Sequence, residues 1–176
     1  MAEQIRIGTS GWVYPHWQGV FYPADLPQKQ WFAHYAKVFD TVEINSTFYH
    51  LQNASTFEHW GQQAPAGFLY AVKASRYITH IKYLKECKDP LETLLNRASL
   101  LGQALGPILF QLPPGFSVDL SRLESFLALL PEGFSYAMEF RNPTWLTDEV
   151  FALLERYGVV LCIHDMPPLH VPLRIT

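Results

Sequence analysis

The chain has 176 residues, 49% of them apolar and 16% charged, which suits one domain with a sizeable core and argues against disorder. Its formal net charge of -3, with no basic cluster, disfavours nucleic acid or an anionic membrane as a partner. Cys87 and Cys162 lie far apart in no metal-ligand spacing, so two reduced thiols are expected rather than a disulfide scaffold. No apolar run is long enough to span a bilayer. The short polar start, residues 1–4, does not read as a secretory signal, so a cytoplasmic protein is expected.

In chain order, strand-like runs at 5–9, 41–45, 68–73, 108–112, 136–141 and 159–164 alternate with helical patterns. Their spacing, roughly 25–40 residues, suits a strand, a helix and two loops, which predicts a parallel sheet. The first helix is marked by Trp31, Tyr35 and Val38 at helical spacing. Ser55-Thr56-Phe57-Glu58, Asp89-Pro90-Leu91-Glu92 and Ser121-Arg122-Leu123-Glu124 read as helix starts of the capping-box type. Leu91, Leu94, Leu95, Ala98 and Leu101 predict an apolar stripe after the second of these. A last helix from about Thr147 should stop at Gly158.

These units fit either an open doubly wound sheet or part of an eight-unit barrel of about 250 residues. The turn after the first strand, Gly8-Thr9-Ser10-Gly11, is not the GxGxxG that announces an open dinucleotide-binding sheet. Alternation within the strands then favours the barrel. Val42 and Ile44 oppose Glu43 and Asn45; Tyr70 and Val72 oppose Lys73. Ile108, Phe110 and Leu112 oppose Gln111; Met138 and Phe140 oppose Glu139 and Arg141; Ile5 and Ile7 oppose Arg6. The apolar face should meet helices, leaving the polar face to point inward. Most of these polar residues lie near the C-terminal strand ends, where barrel active sites form.

Gly8-Thr9-Ser10-Gly11-Trp12, Phe21-Tyr22-Pro23 and the run from Val42 to Tyr49 resemble the YecE-like family, catalogued as a domain of unknown function (DUF 72). So do Thr79-His80, Phe110-Gln111-Leu112-Pro113-Pro114 and Glu139-Phe140-Arg141. The resemblance runs in order across nearly the whole chain. It implies an α/β fold, a TIM-type parallel (β/α) barrel, in a single domain over residues 1–176. About six of eight units would be present, with truncation at the C-terminus and self-association through open strand edges as the expected consequence. The family has been grouped loosely with sugar isomerases, an analogy of fold and sequence. Asn142 stands where the family often has His after Glu-Phe-Arg, which weakens an acid or metal ligand at that point.

The leading functional expectation is an enzyme, isomerase-like or hydrolase-like, acting on a small polar or anionic molecule such as a sugar or sugar phosphate. Glu43 and Glu139 are the candidate acid and base, with Lys73 as a third catalytic candidate. Arg141 and Lys73 are expected to hold an anion, and Arg6 to lie beneath the cluster. Ser10, Asn45 and Gln111 would supply neutral hydrogen bonds. Trp12, Tyr14, Trp17 and Tyr49 would offer ring faces, and His80 a place on the rim.

No cofactor is specified. A divalent metal held by Glu43, Glu139, His164 and Asp165 is a weaker version, since strand parity turns only one of His164 and Asp165 inward. A Schiff base on Lys73 is weaker still, because nearby carboxylates favour its charged form. The non-catalytic alternative is a ligand-binding or scaffold barrel whose charges form a structural network. A nucleic-acid repair barrel is a further alternative that the acidic balance disfavours. The other histidines take bland assignments: His34 and His59 at helix surfaces, His16, His50 and His170 in loops.

Overall fold

A computed structural model describes residues 5–167 and 169–176. Five parallel strands form one sheet: β1 (Thr41–Ile44), β2 (Leu69–Lys73), β3 (Leu105–Gln111), β4 (Tyr136–Glu139) and β5 (Val159–Leu161). Their spatial order is their chain order, with no reversal. Right-handed crossovers that all step in one direction put the connecting helices on one face. A doubly wound sheet needs a switch in direction, and this sheet has none.

Burial follows that geometry. Val42, Ile44, Tyr70, Val72, Ile108, Phe110 and Met138 are at most 1% exposed on the helix-covered side. Glu43, Lys73 and Gln111, one residue out of phase, are only partly buried on the other. Among the helices are α1 (Trp31–Tyr35), α2 (Ser46–Tyr49), α3 (Ala54–Gln63), α4 (Lys88–Ala98), α5 (Leu120–Leu127) and α6 (Asp148–Arg156). Helix α4 buries Leu91, Leu94, Leu95 and Ala98, the stripe its spacing predicts. Thr147 caps α6 by accepting from the Val150 amide, and Gly158 follows it with φ 62°.

Three sequence expectations need correction. Residues 5–9 are not a strand. The Thr9 carbonyl accepts from the Glu43 amide at 2.9 Å, but Ile5 and Ile7 remain 86% and 70% exposed. The segment approaches β1 closely at Gly8, where a Cβ would lie 2.2 Å from the Thr41 carbonyl oxygen. Arg6 is directed to the opposite end from Glu43, bonding the Asp40 carboxylate at 3.2 Å and the Gly67 carbonyl at 2.6 Å. The caps of α3 and α5 lie two residues before the predicted serines. Asn53 accepts from the Thr56 amide and Asp119 from the Arg122 amide, each at 3.0 Å. Helix α4 begins at Lys88 with no side-chain cap, and Asp89 lies in its first turn.

After β5 the chain forms a short antiparallel hairpin, β6 (Asp165–Met166) with β7 (Leu169–His170), which places His170 in a strand. The polar start at 1–4 lies outside the described residues. No helix among the described residues is long and apolar enough to cross a membrane.

Candidate functional site

The strand ends bring together two acid–base pairs. Glu43, the third residue of β1, lies 3.8 Å from Lys73 Nζ at the end of β2. Glu139, the last residue of β4, is ion-paired through Oε1 to Arg141 Nε. The pairs sense each other. Burial raises the Glu43 pKa above its ordinary value; Lys73 opposes that rise, the Glu139 charge adds to it, and Arg141 again opposes it. The cluster of Glu43, Lys73, Glu139 and Arg141 expected from strand parity is therefore present. Arg6 is not part of it.

Each charge is matched, which is what a low-exposure cluster requires. Glu139 is only 5% exposed. Its second oxygen accepts from the Cys162 thiol at 3.8 Å, and burial together with Glu139 and Glu43 pushes that thiol up to about 11. Cys162 is thus a neutral neighbour of the site, where the sequence suggested only a core thiol. Arg141 also meets Met166 of the hairpin with its Nη1. Lys73 lies 5.4 Å from the centroid of the Phe48 ring, so the Glu43 carboxylate and an aromatic face both engage its ammonium. Those are the contacts of a held cation, and they argue against the Schiff-base role.

A buried threonine ties the first pair together. Thr47, fully buried at the start of α2, lies 2.6 Å from the Ile44 carbonyl and 2.7 Å from the Lys73 carbonyl. Its single hydroxyl proton is shared between the ends of β1 and β2. That fixes the backbone from which Glu43 and Lys73 project. Sequence reasoning missed Thr47 because its role depends on a four-residue helix turning it back over two strands.

A cavity of about 680 Å³ opens beside Glu43. Besides Glu43, five predicted residues line it: Ser10, Trp12, Tyr14, Asn45 and Tyr49. Trp12 packs edge-on to Phe32 at 5.3 Å and to Trp60 at 5.9 Å, building an aromatic wall. Lys29, Gln63 and His59 also line it, and none of these three was singled out in sequence as a site residue. His59 is exposed on α3, as expected of a helix-surface residue, and also borders the cavity. Trp17 instead packs into the cluster of Tyr14, Phe21 and Tyr22.

Other predicted residues lie around the cluster. Gln111 is the register partner of Glu139 and is half-buried. His80 lies in a π-helical turn, Tyr77–Ile81, of the kind often found at functional sites. Its Nδ1 is 2.8 Å from the Thr79 hydroxyl, and its ring meets Phe48 edge-on at 4.9 Å. Burial lowers its pKa, and Arg76 and Lys73 add to the effect. The turn leads into Tyr83, Leu84 and Glu86, all with positive φ.

The metal alternative finds no support in the placement of its ligands. His164 donates through Nε2 to the Phe140 carbonyl at 2.9 Å, while its buried Nδ1 has no hydrogen-bond partner among the described residues. Asp165 is exposed in the hairpin. Among the described residues, no three His, Cys, Asp or Glu side chains are grouped to hold an ion. Asn142 has a structural role, since it caps the turn at Thr144 and donates to the Pro114 carbonyl at 2.7 Å.

A family profile described as "Protein of unknown function DUF72" matches residues 6–176. The chain is 31% identical over 172 residues to UPF0759 protein YecE of Escherichia coli, covering 94% of this chain and 61% of that protein. It is 26% identical over 181 residues to UPF0759 protein YunF of Bacillus subtilis, covering 93% of this chain. The chain thus spans 61% of the length of the curated relatives it matches. Its fold is similar to the crystal structure of a DUF72 family protein from Thermotoga maritima. That match has a TM-score of 0.84 at 28% identity and covers 95% of this chain and 67% of that one. A DUF72 family protein from Enterococcus faecalis shares the fold at a TM-score of 0.74 and 18% identity, covering 97% of this chain and 66% of that one. The ordered motifs around Glu43 and Glu139, the matching fold and the profile agree, and the chain belongs to the DUF72 family.

Proposed function

We propose that this chain is an enzyme that moves a proton on a small polar substrate, with Glu43 as the acid. The observation that carries the reading is the contrast between two neighbouring carboxylates. Both are ion-paired, but the Glu43 pKa is raised by burial and Glu43 lines an open cavity, whereas Glu139 is 5% exposed beside Arg141 and outside that lining. Carboxyl groups in environments this different take opposite roles in acid–base chemistry. Glu43 donates its proton to a substrate oxygen, and Lys73 at 3.8 Å steadies the carboxylate left behind. Glu139 is the candidate base. In an aldose–ketose interconversion it takes the proton from the carbon beside the carbonyl and returns it to the neighbouring carbon. The acid proton moves between the two oxygens, so no redox partner is needed. The same reading takes the sheet as part of a TIM-type barrel. Consecutive strand order and a polar face away from the helices support this.

The complete pairing of Glu43 with Lys73 and Glu139 with Arg141 also favours a second reading, a ligand-binding barrel with a structural charge network. Turnover of a panel of aldoses and ketoses by the wild type, Glu43→Gln and Glu139→Gln separates the two. The enzyme reading expects at least a hundredfold loss in each variant, the usual weight of a general acid or base. Unchanged turnover in both variants, or no turnover in the wild type with ligand still bound, supports the binding barrel.

A further inference from the structure

The two cations expected to hold an anionic substrate are already engaged. Lys73 is committed to Glu43 and Phe48, and Arg141 to Glu139. The cavity beside Glu43 contains another cation, Lys29. It sits in the 3-10 turn Gln28–Gln30, which the Gln30 amide closes onto the Pro27 carbonyl at 2.8 Å. Helix α1 follows directly and anchors the turn through the buried Trp31 and Phe32. Among the described residues, Lys29 makes no ion pair or hydrogen bond and Glu43 is the only carboxylate in the cavity lining. The cavity therefore carries an acid at the strand end and an uncommitted ammonium elsewhere on its wall. Trp12, Phe32, Trp60 and Tyr49 supply ring surface, and Asn45 and Gln63 supply planar amides.

We infer that this cavity seats a substrate ring bearing an anionic arm, with Lys29 receiving the arm while the reacting end meets Glu43. The inference rests on the acid–base reading of Glu43 and extends it to the class of substrate. Its volume, about 680 Å³, lies in the range of cavities that enclose ligands larger than one small ring. The walls suit a ring with an apolar face and a hydrogen-bonding edge. A lysine ammonium receives phosphate as a point charge. The arm is therefore taken as a phosphate monoester, and the ring as either a pyranose or an aryl group.

Matched pairs test this: glucose 6-phosphate against glucose, and 4-nitrophenyl phosphate against 4-nitrophenol, with binding measured by calorimetry. The phosphorylated member of at least one pair should bind about tenfold more tightly or better, the effect of a hydrogen bond to a charged group. Lys29→Met should erase that advantage and leave the neutral member within about twofold, as expected for removing an exposed charge that makes no internal contact. The pair that shows the effect identifies the ring. No preference for phosphate in either pair, no binding by any of the four, or a preference that survives Lys29→Met overturns the inference. Glu43→Gln reports separately on the reading beneath it. If Lys29→Met removes the phosphate preference while Glu43→Gln leaves turnover intact, the cavity assignment stands and the acid role fails. The reverse result rejects Lys29 and keeps Glu43.

Discussion

Replacing Arg141 with Met removes the guanidinium from a carboxylate that has almost no access to water. Glu139 is 5% exposed as a residue, and the two side chains are 7% and 18% exposed. Breaking such a pair from one side costs about 3–5 kcal/mol, because the remaining charge keeps its desolvation penalty and loses its partner. The lower end applies here, since Arg141 is not fully buried and the Cys162 thiol still reaches Glu139. About 3 kcal/mol in a chain of this size corresponds to roughly 6–12 °C in Tm. Removing both charges, Glu139→Gln with Arg141→Met, should recover most of that loss, because an uncharged pair of similar volume is close to neutral. Urea unfolding followed by tryptophan fluorescence, on the wild type, both single variants and the double variant, gives the coupling energy directly. A coupling of about 2 kcal/mol or more is expected. An Arg141→Met loss below about 1 kcal/mol, or a double variant that loses the sum of the singles, would refute the reasoning.

Two more stability measurements follow from the site. Glu43 holds its proton more tightly in the folded chain than its ordinary value of 4.5 allows. The stability tied to that proton is fully present below about pH 4.5 and is lost as pH rises through the raised folded value, with a slope of at most about 1.4 kcal/mol per pH unit. Glu43→Gln should lack this slope, apart from a constant offset for the orphaned Lys73. A wild-type-minus-variant difference that stays flat from pH 4 to 8 would contradict it. Thr47→Val removes a hydroxyl shared by two strand-end carbonyls and should cost about 1–3 kcal/mol in chemical denaturation. Thr47→Ser should retain most of that stability, and equal losses in the two variants would show that the hydroxyl is not what matters.

How far the sequence could be read depended on the range of each interaction. The period-two alternation of Val42 and Ile44 against Glu43 is local, and it correctly assigned the faces of β1 through β4. The 5–9 run has the same alternation but makes too few ladder bonds to count as a strand, which is a property of its neighbours rather than of its residues. The caps were misplaced by two residues because Ser55 and Ser121 satisfy the capping pattern as well as Asn53 and Asp119 do. Only the chain's entry into the helix decides between them. Glu43, Lys73, Glu139 and Arg141 were legible because strand parity aims them together. Lys29 and His59 were not, since the cavity they line forms only when the turn before α1 packs opposite α3. Arg6 carried the right residue type for the cluster and went to the other end, where Asp40 and Gly67 offer it three acceptors.

The matched charges also set how a ligand finds the site. When Glu43 is ionised, two carboxylates that each sit beside their own cation carry no net charge as a group, so their field falls off as that of a dipole or faster. Long-range attraction of a charged ligand must then come from charges outside the quartet. The quartet itself should therefore add little to the ionic-strength dependence of association, which falls to charges outside it such as Lys29. The quartet would exert its selectivity only after contact, through the rate at which a ligand leaves.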